Sequence, residues 1–260
     1  MDPEWVKTAQ RQLYEGGEYY ALSAVLAPAA DALVAAAGVR PGDTVLDVGA
    51  GDGNVAVAAA RRGARVVACD IAPAQVERGE ARCRRDGTPV EWLVADAEQL
   101  PFDAGSFSRV LSAFGVVFAP RPEVATSELF RVCRPGGVVA LTAWPDGSFM
   151  TDTTSAVREL SSDDDPFPDI DLGWGDEETI RTRLRTHSAA VRFTRRSLLF
   201  DSEERGRAGA ADFATAWLTE HLDSHALAEL QVRRERLPAR HRGDDGLTRA
   251  EYLIVVAVAH

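Results

Sequence analysis

The sequence has little of what marks several large classes of protein. Its 260 residues hold three cysteines, Cys69, Cys83 and Cys133, widely spaced and without the pattern of metal ligands. They read as buried small hydrophobes in a reducing compartment, and no metal site is expected. No apolar run approaches the roughly 18 residues that a membrane span needs. The first residues, Met1-Asp2-Pro3-Glu4-Trp5, are acidic and lack the apolar core of a signal peptide, so a cytoplasmic protein is expected. Positive charge is also short. Lys and Arg number 29 against 40 Asp and Glu, a formal net charge of −11, which disfavours a protein that tracks nucleic-acid phosphates. There is no internal repeat and no second glycine loop. Nothing in the pattern fixes an oligomeric state.

What is present is ordinary globular material, 45% hydrophobic and 27% charged, and long enough for one α/β domain with an appended cap. The organising stretch is Thr44-Val-Leu-Asp-Val-Gly-Ala-Gly-Asp-Gly-Asn54. Val45, Leu46 and Val48 suit a short buried strand. Glycines follow at 49, 51 and 53, and then an alanine-rich helical segment. Strand, glycine turn and helix N-terminus together form a small-molecule cradle at the carboxyl end of a parallel sheet. Two details oppose a dinucleotide. Its fingerprint needs the third glycine at position 54, which is Asn54 here. Asp47 also enters the loop from the side where a carboxylate repels a pyrophosphate and suits a cation.

Asp47-Val-Gly-Ala-Gly-Asp-Gly53 resembles the first motif of the class I S-adenosylmethionine-dependent methyltransferases. Two later sites match in order. Arg65–Cys69 reads as a second strand with Asp70 at its end, where Rossmann-like folds place the acceptor of the ribose hydroxyls. Ile71 could then lie on one adenine face, and Pro73 opens a helix. A third strand, Val90–Val94, leads into Asp96-Ala-Glu-Gln-Leu-Pro-Phe102, which in similar enzymes holds the adenine. There the aspartate accepts from the exocyclic amine and the next backbone N–H, of Ala97, donates to the ring. The resemblance extends to Ser112-Ala-Phe-Gly115 after a fourth strand, Phe107–Ala113. Here the methionine half of the cofactor and the acceptor would meet, with Phe114, Val116, Val117 and Phe118 as an apolar wall. It implies cofactor contacts from Asp47, Gly49, Ala50, Gly51, Asp70, Ile71, Asp96, Ala97, Ser112 and Phe114. The Leu-Pro-Phe stretch and the Arg134-Pro-Gly-Gly137 turn are further similar to ubiquinone and menaquinone C-methyltransferases and to small-molecule methyltransferases of secondary metabolism. Gly79 departs from the pattern, since a bulkier residue is expected inside its helix.

The implied architecture is a Rossmann-like α/β fold: seven strands, mostly parallel, the last antiparallel and inserted beside the fifth, with helices on both faces. Residues 1–37 would be a helical cover, 38–145 the cofactor-binding core, 146–250 an acceptor-side cap and 251–260 the last strand, all in one domain. In the cover, Pro28 is expected to kink or restart a helix, and Tyr14, Tyr19 or Tyr20 either packs on the sheet or reaches the ligands. In the cap, Ser161–Pro168 reads as a loop, Trp174–Arg181 as a helix start, Val191–Phe200 as a strand and Phe213–Leu227 as an amphipathic helix.

The implied reaction is methyl transfer to an oxygen, carbon or nitrogen of a small molecule, leaving S-adenosylhomocysteine. A planar or apolar acceptor would suit Trp144, Phe149, Phe167, Trp174 and Trp217. His221 is the candidate general base, four residues from His225 on one helix face, and His187 is a second histidine of the cap. Two other readings share these motifs. One is a nicotinamide-dependent reductase, opposed by the glycine spacing and by Asp96-Ala97. The other is a methyltransferase fold that keeps the cofactor as a structural prop.

Overall fold

A computed structural model describes residues 2–15, 19–160, 172–200 and 224–260. Two helices come first, α1 (Pro3–Glu15) and α2 (Tyr19–Ala36). Strands and helices then alternate: β1 (Thr44–Val48), α3 (Asn54–Ala60), β2 (Arg65–Asp70), α4 (Pro73–Arg85), β3 (Val90–Val94) and β4 (Phe107–Ala113). After a 3-10 turn at Val116–Phe118 come α5 (Pro122–Val132), β5 (Cys133–Ala143), α6 (Phe149–Arg158) and α7 (Glu177–Leu184). The chain closes with β6 (Ser188–Phe200), α8 (Ser224–Arg240) and β7 (Thr248–Ala259).

The strands form one sheet in the order β3-β2-β1-β4-β5-β7-β6. The first five are mutually parallel, and β7 runs antiparallel between β5 and β6. This is the expected Rossmann-like arrangement. Because β1 to β5 all point one way, the loops at 49–53, 70–72, 95–98, 114–118 and 144–148 gather along one edge. That edge is where the motif residues lie.

Period-two alternation distributes the strand side chains between two cores. Val45, Leu111, Tyr252 and Ile254 meet α2 and α3 on one face. Leu46, Val110, Leu253 and Val255 meet α5 and α7 on the other. Burial on both faces explains why the central strands read as continuous apolar runs.

Three expectations change. Pro28 does not restart the helix: α2 runs through it as one element. A proline costs the ring clash and one backbone bond, and the fully buried stripe of Ala29, Ala30, Leu33 and Val34 on the sheet outweighs it. Arg134–Gly137 is a bulge inside β5 and not a turn before it. Phe107 pairs with Cys133 and Arg109 with Val138, so five steps on β5 face two on β4, with the left-handed Gly136 absorbing the excess. Gly79 disturbs no packing. A Cβ there would stand 2.1 Å from the ring of Trp92, so the glycine is what admits the indole between α4 and β3.

The expected loop at 161–168 and most of the Phe213–Leu227 helix lie outside the described residues; Leu227 falls in α8. Among the described residues no helix is long and apolar enough to cross a membrane.

Candidate active site

Asp47 is the centre of the carboxyl edge. It stands one residue before the end of β1 and is 1% exposed. Its Oδ2 accepts a hydrogen bond from the N–H of Ala56, 2.9 Å away in the first turn of α3. A strand carboxylate thus satisfies a helix donor that Gly53 at the N-cap cannot. Its other oxygen, Oδ1, is buried and has no hydrogen-bond partner among the described residues. Burial foremost, then the nearby charges of Asp70 and Asp52, push the Asp47 carboxyl up to about 8. Asp47 lines a crevice with Gly49, Ala50, Asn54 and Phe114, under Leu26 of α2.

The glycine loop is shaped by close backbone approach. Gly49 has φ +65°, and a Cβ on it would meet the Cα of Gly115 at 2.8 Å. A Cβ on Gly115 would in turn meet the carbonyl oxygen of Gly49 at 2.6 Å. The loops after β1 and β4 therefore lie backbone on backbone, which only a glycine pair allows. Ala50 and Gly51 tie the loop to β2: Ala50 N–H donates to the carbonyl of Cys69 at 3.0 Å. Gly51 N–H donates to Asp70 Oδ2 at 2.8 Å.

Asp70 takes a second donor, Ala72 N–H, at 2.9 Å on Oδ1. It is buried, and burial raises its carboxyl above the ordinary carboxylate range against these hydrogen bonds. The phenol of Tyr14, on α1, is held protonated by burial and by the negative charge of Asp70. One tyrosine of the N-terminal cover therefore lies within reach of the charge on Asp70. The side chains of Tyr19 and Tyr20 lie outside the described residues. Ile71 and Ala97 are half-buried beside Asp70 and Asp96.

Ser112 and Phe114 differ in what they leave open. The Ser112 hydroxyl donates to the carbonyl of Val48 at 2.7 Å and accepts from Val116 N–H at 2.9 Å. It is a strut under the site, with its proton committed to the scaffold. Phe114 is the one non-glycine residue with positive φ, +55°, among the described residues. Such backbone costs about 1–3 kcal/mol, and the bond from Phe114 N–H to Thr142 Oγ1, 3.0 Å, helps hold it. The strain aims the ring at Trp144, stacked with centroids 4.0 Å apart, with Tyr252 edge-on at 5.8 Å. Val116 and Val117 are instead buried in the second core, so the wall is narrower than expected.

The histidines fall elsewhere. His221 lies outside the described residues, and His225 is exposed on α8. His187 stacks on Phe130, 5.1 Å between centroids, just before β6. Ser188 pairs with Ala259, and Val258 pairs with Val138 near the start of β5, so His187 belongs to the opposite edge of the sheet. Among the aromatics proposed for the acceptor, Trp174 is buried in the second core under the guanidinium of Arg183. Phe149 is in the first core, while Phe167 and Trp217 lie outside the described residues.

Three features escaped the sequence. Tyr252 joins the aromatic wall from the last strand. His241 Nε2 pairs with Asp152 Oδ2 at 2.9 Å on the cap side, its ring edge-on to Phe149. Lys7 of α1 reaches Asp96. Each depends on partners distant along the chain, and a period or spacing carries no signal of that.

The fold defines the class: a Rossmann-like methyltransferase fold, with Asp47, Asp70 and Asp96 near the carboxyl ends of β1, β2 and β3. The pattern of a methyltransferase domain matches residues 46–141. The chain is 40% identical over 195 residues to the uncharacterized protein Rv1403c of Mycobacterium tuberculosis, covering 75% of this chain and 71% of that one. It is 32% identical over 158 residues to demethylmenaquinone methyltransferase of Clavibacter sepedonicus, covering 55% and 64%. Among solved structures, the YcgJ protein from Bacillus subtilis superposes with TM-score 0.65 at 15% identity, covering 89% of this chain and 97% of that one. Geranyl diphosphate methyltransferase in complex with its methyl donor gives 0.54 at 19% identity, covering 90% and 85%. The chain belongs to the class I S-adenosylmethionine-dependent methyltransferases.

Proposed function

We propose that the carboxyl edge of the sheet holds S-adenosylmethionine through nine of the ten residues named from the sequence, with Ser112 as the support beneath them, and that the enzyme methylates an aromatic or apolar small molecule in the cytoplasm. Asp47 Oδ1 carries the first half. A buried carboxyl oxygen without a partner, beside glycine backbone that a Cβ would obstruct, suits a cation that would draw the group into its ionised form, and the ammonium of the cofactor would be that cation. Asp70 would take the ribose hydroxyls with its remaining lone pairs, Ile71 one adenine face, and Asp96 with Ala97 the adenine edge. Ser112 supports the loop from beneath.

Bound there, the sulfonium supplies an activated methyl group for in-line displacement. The chain's own part is placement and exclusion of water, which can contribute about 7–11 kcal/mol. The stacked Phe114 and Trp144 with Tyr252 support a planar or apolar acceptor. A base adds roughly 10²–10⁴-fold where the acceptor is a hydroxyl, and His221 is the candidate for it. Calorimetry with S-adenosylhomocysteine, followed by labelled-methyl transfer to a panel of phenols, quinols and amines, tests both halves. Absence of any association with the nucleoside would sink the proposal. Turnover of polar amines alone would overturn the aromatic acceptor.

A further inference from the structure

Lys7 is among the most buried side chains of the molecule, 2% exposed, although lysine is rarely inside without partners. Its ammonium meets three carboxylates: Glu98 Oε2 at 2.6 Å, Asp96 Oδ2 at 2.7 Å and Glu4 Oε1 at 3.1 Å. An ammonium has three protons to donate, so these contacts saturate it. Glu98 is further held from the other side, by Arg121 N–H at 2.6 Å and by its guanidinium at 2.7 Å. A second bond fixes the helix to the next strand end, since Gln10 Nε2 donates to the carbonyl of Phe118 at 2.7 Å. The α1 helix is therefore docked on the loops after β3 and β4 by polar contacts as well as by the buried Val6.

The consequence falls on Asp96. Its Oδ1 accepts from Glu98 N–H at 2.9 Å and its Oδ2 is held by Lys7, so both ends of the carboxylate are fixed. A quarter of the side chain stays open to a ligand. We infer that Lys7 is a positioning residue for adenine selectivity: its ammonium holds Asp96 against the repulsion of Glu98 and Glu4, in the orientation that accepts the exocyclic amine. This rests on the proposed adenine contact of Asp96 and adds a residue from outside the nucleotide-binding core. Without the ammonium, the Asp96 and Glu98 carboxylates lose the cation that sits between them, because Arg121 bonds directly to Glu98 and reaches Asp96 only through its longer-range charge. Asp96 then turns towards solvent and its acceptor leaves the adenine edge.

The test compares S-adenosylhomocysteine with its 6-deamino analogue, which keeps the ring nitrogens and lacks only the amine. Dissociation constants are measured by calorimetry for the wild type, Lys7→Met, Lys7→Gln and Lys7→Arg, with thermal melts confirming that each is folded. The wild type should prefer the amine-bearing ligand by about 10–100-fold, the usual range for a hydrogen bond to a charged group. In the Met and Gln variants that ratio should collapse to within about threefold while affinity for the deamino ligand barely moves, and Arg should restore much of it. Equal weakening of both ligands, or an unchanged ratio, overturns the role of Lys7 and leaves the adenine contact standing. No preference in the wild type overturns the adenine contact itself, and the Lys7 role with it. If Lys7→Met does not fold, Lys7→Gln, which keeps a hydrogen-bond donor, decides.

Discussion

The indole of Trp92 occupies the space in front of Gly79, where an added Cβ would stand 2.1 Å from its ring. The same ring passes 2.8 Å from the Cβ position of Gly53, so one tryptophan spaces both the glycine loop and α4 from β3. Gly79→Ala should therefore destabilise the protein by about 1–3 kcal/mol, although alanine normally gains about 1 kcal/mol over glycine inside a helix. Urea denaturation measures it. Adding Trp92→Leu should recover part of the loss, and strict additivity of the two changes would refute the steric account.

Gly115 and Gly49 make a second prediction. Gly115→Ala places a Cβ 2.6 Å from the Gly49 carbonyl oxygen, a backbone atom that cannot swing aside. The glycine loop must shift, and affinity for S-adenosylhomocysteine should fall more than tenfold. Alanine at Gly105, whose Cβ would meet only Arg134 at 3.7 Å, is the comparison for a glycine with positive φ away from the site. Calorimetry on the pair separates loop geometry from general backbone strain.

The Asp47 carboxyl, raised to about 8 by burial and by Asp70 and Asp52, makes ligand binding pH-dependent. An ammonium partner favours the ionised form, so below pH 8 binding must expel a proton from Asp47. Affinity for S-adenosylhomocysteine should tighten as pH rises from 6 towards 8, with proton release detectable from the buffer dependence of the binding enthalpy. Asp47→Asn should flatten that dependence. For the ligand-free protein the sign is opposite. The raised carboxyl contributes stability below its unfolded value of 3.8, and that contribution is lost as pH climbs through about 8. Melting temperatures of the wild type and Asp47→Asn should therefore converge at acid pH and diverge at pH 8, with Asn the more stable there.

Asp70→Asn should weaken S-adenosylhomocysteine binding by about 10–100-fold, because an amide offers one acceptor where the ribose needs a charged one. It should also lower the melting temperature, since Gly51 N–H and Ala72 N–H both depend on this carboxylate. A variant that binds as the wild type does would remove Asp70 from the ribose site.

The central strands and the glycine loop were legible because their signals are local: an apolar run, a turn that needs glycine, an acid at a strand end. What stayed hidden depends on direction or on distance along the chain. His187 lies in the segment assigned to the cap, yet β6 runs in the same direction as β5, so the residue before it sits at the amino edge of the sheet, away from the motif loops. Lys7 lies in the stretch expected only as a helical cover, and two of the carboxylates it meets follow β3. Gly79 looked like a defect because Trp92, its complement, sits on a different element. Trp174 carried the aromatic character expected of an acceptor pocket, and burial against Arg183 uses it for packing.

The position of β7 bears on how the sheet is completed. It follows β6 in sequence yet sits inside the sheet, between β5 and β6. Until residues 248–259 are in place, β5 and β6 each keep a backbone edge without a partner strand. A variant lacking those residues would present two sticky edges at once and should self-associate.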